Sequence, residues 1–327
     1  MRLHENKTLF RQAVEATSQS MAIQEIYIEK DYWVTLALRA IFSDPIGAQT
    51  IFKGGTALSK CFGLIERFSE DIDLVVMRSP LDTGNQLKEK IRSVGAAVSS
   101  VLPEVEIEGL TRRRGMNRKT VHSYAQEFDG DAGQVRKEVI VVEATWLGSS
   151  DPFTSLYLGS YITDMMLGQD QQSLVDEYGL QPFEVKVLLP ERTLCEKLMS
   201  LVRFSYSETP LEDLKLKIRH CYDLHKLLED EALKAFFASS ELDGLLLKVA
   251  RDDVASFRNN NEWLIHHPED AFVFAELAEV WPELRSVYLG SFSNLVYGSL
   301  PEEGAVFETF SMIRDRLSLI EWDISLD

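Results

Sequence analysis

Phe52-Lys53-Gly54-Gly55-Thr56-Ala57-Leu58, and fifteen residues on Arg67-Phe68-Ser69-Glu70-Asp71-Ile72-Asp73-Leu74, contain two glycines and an Asp-x-Asp pair in an order that carries chemistry. Thr50-Ile51-Phe52 is a short β-prone run ending at the glycine pair, and Thr56-Ala57-Leu58-Ser59-Lys60 opens a helix. The spacing predicts strand, tight turn, helix. Gly54 and Gly55 at such a turn let backbone approach a phosphate, and the N–H groups and dipole of the helix start attract it. The Thr56 hydroxyl can add a hydrogen bond. Asp71-Ile72-Asp73-Leu74-Val75-Val76 alternates and then runs apolar, so a second strand opens on carboxylates. Strand residues two apart share a face, which lets Asp71 and Asp73 address one site. Hard oxygen ligands of this kind suit Mg²⁺, which joins one or two carboxylates to substrate phosphates. Either half alone is ordinary, a turn or a solvated strand edge; their succession is not.

Upstream, apolar residues at helical spacing between Asn6 and Ser43 predict two helices. Downstream, a helix is expected over about 83–99, and β-prone runs follow at Glu104–Leu110, Thr120–Phe128, Glu138–Trp146, Ser155–Ile162 and Phe183–Leu189. From Pro190 the pattern turns helical: Pro190 to Phe204, Leu211 to Leu228, then acidic amphipathic segments. The expected architecture is α+β, with a mixed-sheet domain over 1–189 and an all-helical domain over 190–327. At 327 residues, two domains of roughly 150 each fit the length.

With 34 Lys and Arg against 52 Asp and Glu, the net charge is −18, which on its face opposes a nucleic-acid substrate. The charge is unevenly spread. From Glu229 onward there are 20 acids and 7 bases, a net of −13, leaving −5 for the first 228 residues. The opening residues Arg2-Leu3-His4-Glu5-Asn6-Lys7 form no apolar signal core, and no stretch has the length and apolarity of a membrane span. A cytoplasmic protein is expected. Cys61, Cys195 and Cys221 have no metal-site spacing and read as reduced thiols in or near cores.

The glycine turn followed by strand carboxylates resembles the active-site signature of the polymerase-β-like nucleotidyltransferases. In detail, Gly54 to Leu58 and Arg67 to Leu74 resemble the AbiEii/AbiGii-type nucleotidyltransferases, toxins of type IV toxin–antitoxin and phage-defence systems. Ile28-Glu29-Lys30-Asp31-Tyr32-Trp33-Val34 resembles that family's helix ahead of the first motif, and Arg219-His220-Cys221-Tyr222-Asp223-Leu224 its late Arg-rich helix. The last hundred residues carry no recognised motif.

The resemblance implies further roles. A third carboxylate is expected from a later strand, and Glu143, alone among the apolar residues of Val139 to Ala144, is the candidate, with Glu138 as fallback. Asp71, Asp73 and Glu143 would hold Mg²⁺. Gly54, Gly55 and Thr56, with Lys197, would bind the nucleotide, and Arg67 and Ser69 would contact it or support Asp71; Lys197 and Asp223 would be contributed by the helical domain, Asp223 orienting or deprotonating an acceptor or merely pairing with Arg219. Lys30, Asp31 and Trp33 read as structural. The implied reaction moves a nucleoside monophosphate from an NTP to an acceptor with release of pyrophosphate, the tRNA 3′ end being one acceptor known in relatives, and an adjacent gene would supply the antitoxin.

Arg112, Arg113, Arg114, Arg118 and Lys119 place five positive charges and no acid in an apparent loop over 111–120, a candidate phosphate clamp for RNA, with His122 and Tyr124 as weaker stacking candidates. The alternative is a solvated hairpin balanced by acids elsewhere. Two other functions fit the same residues: the same chemistry on a protein or small-molecule acceptor, and a non-catalytic interaction protein retaining the fold.

Overall fold

The computed structural model describes residues 2–69, 71–113, 115–129, 138–257 and 260–326. They group into two compact units, one of Met1–Phe62, Phe68–Trp146 and Phe153–Val187, the other of Gly63–Arg67, Leu147–Pro152 and Leu188–Asp327. Gly63–Arg67 and Leu147–Pro152 therefore belong with the helical part, although both lie within the expected first domain.

In the first unit, α1 (Lys7–Met21) and α2 (Glu25–Ser43) precede β1 (Thr50–Lys53), α3 (Gly54–Phe62), β2 (Asp71–Val76) and α4 (Gly84–Ser99). Then come β3 (Glu104–Val105), β4 (Asn117–Ser123), β5 (Val139–Thr145), β6 (Phe153–Leu158), α5 (Tyr161–Gly168), α6 (Gln172–Glu177) and β7 (Phe183–Leu188). The strands form one mixed sheet in the order β3-β4-β5-β2-β1-β7-β6. The β1/β2, β4/β5 and β3/β4 pairs are antiparallel, whereas β2/β5 and β1/β7 are parallel. β2 and β5 are thus interior strands. Ile140, Val141 and Val142 on β5 and Ile72, Leu74, Val75 and Val76 on β2 are almost wholly buried, each such side chain contributing about 1.5–3 kcal/mol relative to exposure. The acids on these strands interrupt a continuous apolar run, as expected of strands covered on both faces.

α2 packs against α1, α4 and α5, and its polar residues are spent on that packing. Asp31 pairs with Lys60 of α3 and accepts from the Tyr161 amide, and the Lys30 ammonium lies 5.4 Å from the Tyr124 ring centre. Glu29 accepts from the amides of Glu127 and Phe128 at 2.8 and 3.0 Å. That contact explains one departure from the expected strands: the run Thr120–Phe128 leaves the sheet after Ser123 because its last amides bond to the Glu29 carboxylate. Glu104–Leu110 pairs only at Glu104 and Val105, since Leu110 and Thr111 turn back onto the Ile107 carbonyl.

The second unit contains α7 (Pro190–Ser205), α8 (Pro210–Leu216), α9 (Ile218–Glu229), α10 (Glu231–Ala238), α11 (Ser240–Ser256), α12 (Phe272–Ala275), α13 (Leu277–Val287) and α14 (Glu303–Leu317). The expected single helix over Leu211–Leu228 is broken at Lys217, whose ψ of 12° departs from helical values. α7 packs on α8, α9, α11 and α12, and α9 also packs on α10 and α14. Cys61 is partly buried and Cys195 and Cys221 fully, all as free thiols. Among the described residues no helix is long and apolar enough to cross a membrane.

Candidate active site

Register assembles the carboxylates. Lys53 of β1 stands opposite Asp73 of β2, Asp73 opposite Glu143 of β5, and Glu143 opposite Lys119 of β4. Paired residues on neighbouring strands share a face, so four strands carry a row reading plus, minus, minus, plus. Asp71, two residues before Asp73, joins the same face. Burial first, and then the charges of Asp71 and Glu143, push the Asp73 carboxyl up to about 7 despite Lys53 and Lys119. A carboxylate so raised gains most from an added cation.

Gly54 has φ +81°, the left-handed region, and a Cβ there would collide with Asp73 Oδ2. Glycine is therefore required twice, for the turn into α3 and for the approach of the carboxylate. Thr56 is buried; its Oγ1 donates to the Asp71 carbonyl at 2.6 Å and lies 3.0 Å from Ser69 Oγ. Its hydroxyl thus fastens the start of β2 instead of reaching outward to a phosphate. Ser69 belongs to the same small network.

Glu143 sits where register predicts, but its carboxylate is engaged: Asn117 Nδ2 donates to Oε1 at 2.6 Å and Lys119 Nζ lies 3.0 Å from Oε2. Burial pushes this acid up, yet the Asn117 amide and the Lys119 charge hold it below its ordinary value. Among the described residues no group of three or more His, Cys, Asp or Glu side chains is gathered closely enough to hold a metal. Asp71 and Asp73 remain as hard oxygen donors on one face, which fits Mg²⁺ in its habit of taking few carboxylates together with phosphate and water. Glu138, the fallback, is exposed at the head of β5 with φ +60°.

The basic segment is not an acid-free loop. Asn117, Arg118 and Lys119 lie in β4, and the Arg112 backbone bridges to Lys119 at 2.8–2.9 Å. Arg113 pairs with Glu104 and Glu106, Arg118 lies 3.9 Å from Glu104, and Lys119 serves Glu143. Arg114 lies outside the described residues. His122 is buried against Thr120 and the Leu102 carbonyl, and Tyr124 stacks on Trp33 at 5.3 Å, so neither offers a ring for surface stacking.

The remaining expected residues gather in the helical unit. Arg67 donates from Nε and Nη2 to the two Asp223 oxygens at 2.6 and 2.7 Å, and Lys197 Nζ donates to Asp223 Oδ2 at 2.6 Å. Lys197 Nζ also lies 3.4 Å from His220 Nδ1. Burial alone would raise Asp223, but Arg67 and Lys197 override it and hold the carboxyl far below the carboxylate range. Burial and then the Lys197 charge push His220 well down, so the ring is neutral and accepts from Lys197. An Asp223 held this strongly ionised is a poor proton acceptor. Arg67, expected to touch nucleotide or support Asp71, is 3% exposed and pairs with Asp223. Lys53, Asn117 and the Arg67–Asp223 pair escaped the sequence reading; strand order would have exposed the first two, whereas the last spans 156 residues and left no local signal.

A mixed sheet with a glycine turn at a helix start, and carboxylates on the adjoining strand, is the arrangement expected from the resemblance to the nucleotidyltransferases. Residues 36–310 match the family described as nucleotidyl transferase AbiEii toxin, type IV toxin–antitoxin system. The chain belongs to that family. It is also similar to the structure of MenT4, a nucleotidyltransferase toxin from Mycobacterium tuberculosis, with 18% identity and a TM-score of 0.45 over 95% of this chain and 98% of that one. No curated protein matches the chain.

Proposed function

We propose that this toxin transfers a nucleoside monophosphate from an NTP to the 3′ end of a tRNA, using Mg²⁺ bound at Asp71 and Asp73. The observation that carries the proposal is the register row in which Asp73, raised to about 7, stands beside Lys53 and Glu143 with Asp71 on the same face. When bound, the metal would supply charge neutralisation for the triphosphate and for the oxygens that exchange at phosphorus. The chain's own residues do the rest. The amides at the Gly54–Gly55 turn receive phosphate oxygens at the start of α3, Thr56 and Ser69 hold β2 in place, and Asn117 with Lys119 fixes Glu143 as a negative neighbour of Asp73. The acceptor hydroxyl oxygen bonds to the α-phosphorus and its proton passes to solvent water, while the bond to the bridging oxygen breaks and pyrophosphate leaves. Positioning and charge stabilisation supply the acceleration.

Such a protein works where NTPs and tRNA are found, in the cytoplasm, and its family implies an antitoxin partner. The test is incubation with each α-labelled NTP and total cell RNA and protein, with and without Mg²⁺. Label in tRNA, lost on chelation and in Asp71→Ala and Asp73→Ala, is the expected result. Label only in protein would overturn the tRNA acceptor, and unaltered labelling by both variants would overturn the site.

A further inference from the structure

Alternation along β4 sorts its polar residues between the two faces of the sheet. Arg118 and Thr120 lie beside Gly95 of α4, while Asn117 and Lys119 share the opposite face with Glu143. Lys119 is 26% exposed, and its Nζ lies 3.0 Å from Glu143 Oε2. An ammonium carries three donors, and Glu143 is the one charged partner of this ammonium among the described residues. The cation therefore has donors to spare on the face that carries Asp71 and Asp73.

Reach follows from strand spacing. Neighbouring strands lie about 4.8 Å apart, and Glu143 stands opposite Asp73 in register, so an ammonium tied to Glu143 is held close to that carboxylate. The Gly54–Gly55 turn begins one residue after Lys53, on the far side of β2 from β5. A polyphosphate running from that turn across Asp73 toward β5 comes next to Lys119. A lysine, a compact cation with rotatable donors, suits such a phosphate.

The tie between Lys119 and Glu143 is reinforced at a cost. Asn117 Nδ2 donates to Glu143 Oε1 at 2.6 Å, which leaves Asn117 Oδ1 buried with no hydrogen-bond partner among the described residues. An unpaired buried carbonyl is destabilising, and an apolar side chain at 117 would avoid it. What the asparagine secures is a Glu143 with both oxygens held, one by Asn117 and one by Lys119.

We infer that Lys119 is a nucleotide-binding residue that donates to the β- or γ-phosphate of the NTP, and that Glu143 and Asn117 are positioning residues holding its ammonium beside the metal-binding carboxylates. Lys119 bridges Glu143 and the phosphate, using for the second an N–H that the first leaves free. This inference rests on the reading of Asp71 and Asp73 as the metal-binding pair of a nucleotidyl transfer site.

The test uses the full chain carrying Lys119→Met or Lys119→Arg and reads binding apart from turnover. Each NTP and its NMP are titrated with Mg²⁺ and without RNA, Mn²⁺ is titrated without nucleotide by electron paramagnetic resonance, and tRNA is titrated without NTP. Lys119→Met should bind NTP at least about tenfold more weakly and NMP within about twofold of wild type, and Lys119→Arg should recover NTP affinity to within about threefold. Mn²⁺ affinity should not fall, because removing one cation does not weaken the binding of another beside it. Asn117→Ala leaves Lys119 in place but frees a Glu143 oxygen; it should weaken NTP binding about threefold with NMP unchanged, and wild-type NTP affinity there overturns the positioning role.

Equal losses for NTP and NMP, or weakened Mn²⁺ binding, would make Lys119 structural and overturn the inference. Unchanged NTP affinity also overturns it, and weakened tRNA binding in that case gives Lys119 to RNA. If Lys119→Met does not fold, Lys119→Gln, which keeps a donor without the charge, should show the same split at about fivefold or more. A wild type that binds NTP but transfers none defeats the transfer reading by itself, while these affinities still decide Lys119; a wild type that binds no NTP overturns both.

Discussion

Asp73 and Asp223 are the same side chain under opposite electrostatics. On the sheet, like charges are brought together and Asp73 is pushed up to about 7, chiefly by burial and then by Asp71 and Glu143. In the helical unit, Asp223 is fully buried but has two cations on its oxygens, and it is driven far down. The first aspartate lacks a full complement of positive charge; the second has more than it needs. Burial alone therefore does not mark a catalytic carboxylate. What separates the two is whether the partners already present leave something for a ligand to supply.

The comparison breaks most readily at Asp73. Replacing it by Ala should lower nucleotidyl transfer roughly 100- to 1,000-fold, the scale of losing one preorganised charge-stabilising group, as measured by label incorporation at saturating NTP. Asp223→Ala should act first on folding: it strands Arg67 and Lys197, and breaking a buried pair costs about 3–5 kcal/mol, readable in urea denaturation. A variant that unfolds at the wild-type urea concentration would mean that the cluster is not structural.

Two intermediate effects sharpen the contrast. Gly54→Ala combines left-handed backbone with a collision on Asp73, and should cost about 1–3 kcal/mol along with transfer activity; equal urea midpoints would remove the glycine's double requirement. For pH, the folded-state value of Asp73 lies above its unfolded one, so the folded chain binds the extra proton between about pH 4 and 7 and loses stability as pH rises through that window. Asp73→Asn should consequently stabilise the metal-free chain by on the order of 2 kcal/mol at pH 8 and leave it unchanged at pH 4. Thermal melts at both pH values check the sign. The smallest effect is expected at Arg113→Ala, whose exposed pairs with Glu104 and Glu106 should leave the urea midpoint essentially unchanged; a large loss of labelling of RNA by this variant would restore the basic segment as a clamp.

The glycine turn, the two carboxylates on β2 and the candidate acid on β5 were legible because each is encoded within a few residues, by turn chemistry or period-two alternation. What Glu143 touches was not, since Asn117 and Lys119 reach it through the register of β4 on β5, and no composition rule fixes a register. The pairing of the arginine-rich stretch was hidden for the same reason: it carries no acid in sequence, and its acids stand across a strand pair. Arg67 read as a nucleotide contact or a support for Asp71 from its place between two motifs, and its partner Asp223 lies on a helix formed by a distant part of the chain. The helix break at Lys217 involves neither Gly nor Pro within the run, so nothing local announced it.

The four-strand row has a bearing on how fast substrate arrives. With Asp71 on the same face, Lys53, Asp71, Asp73, Glu143 and Lys119 sum to minus one when Asp73 is ionised and to zero when it is protonated. A polyanionic triphosphate approaching a chain of net −18 thus meets no strong local field of opposite sign to pull it in from beyond a Debye length. Capture then depends on short-range contact and on whatever cations the nucleotide carries with it, so the association rate should respond to the supply of divalent ion far more than to the concentration of monovalent salt.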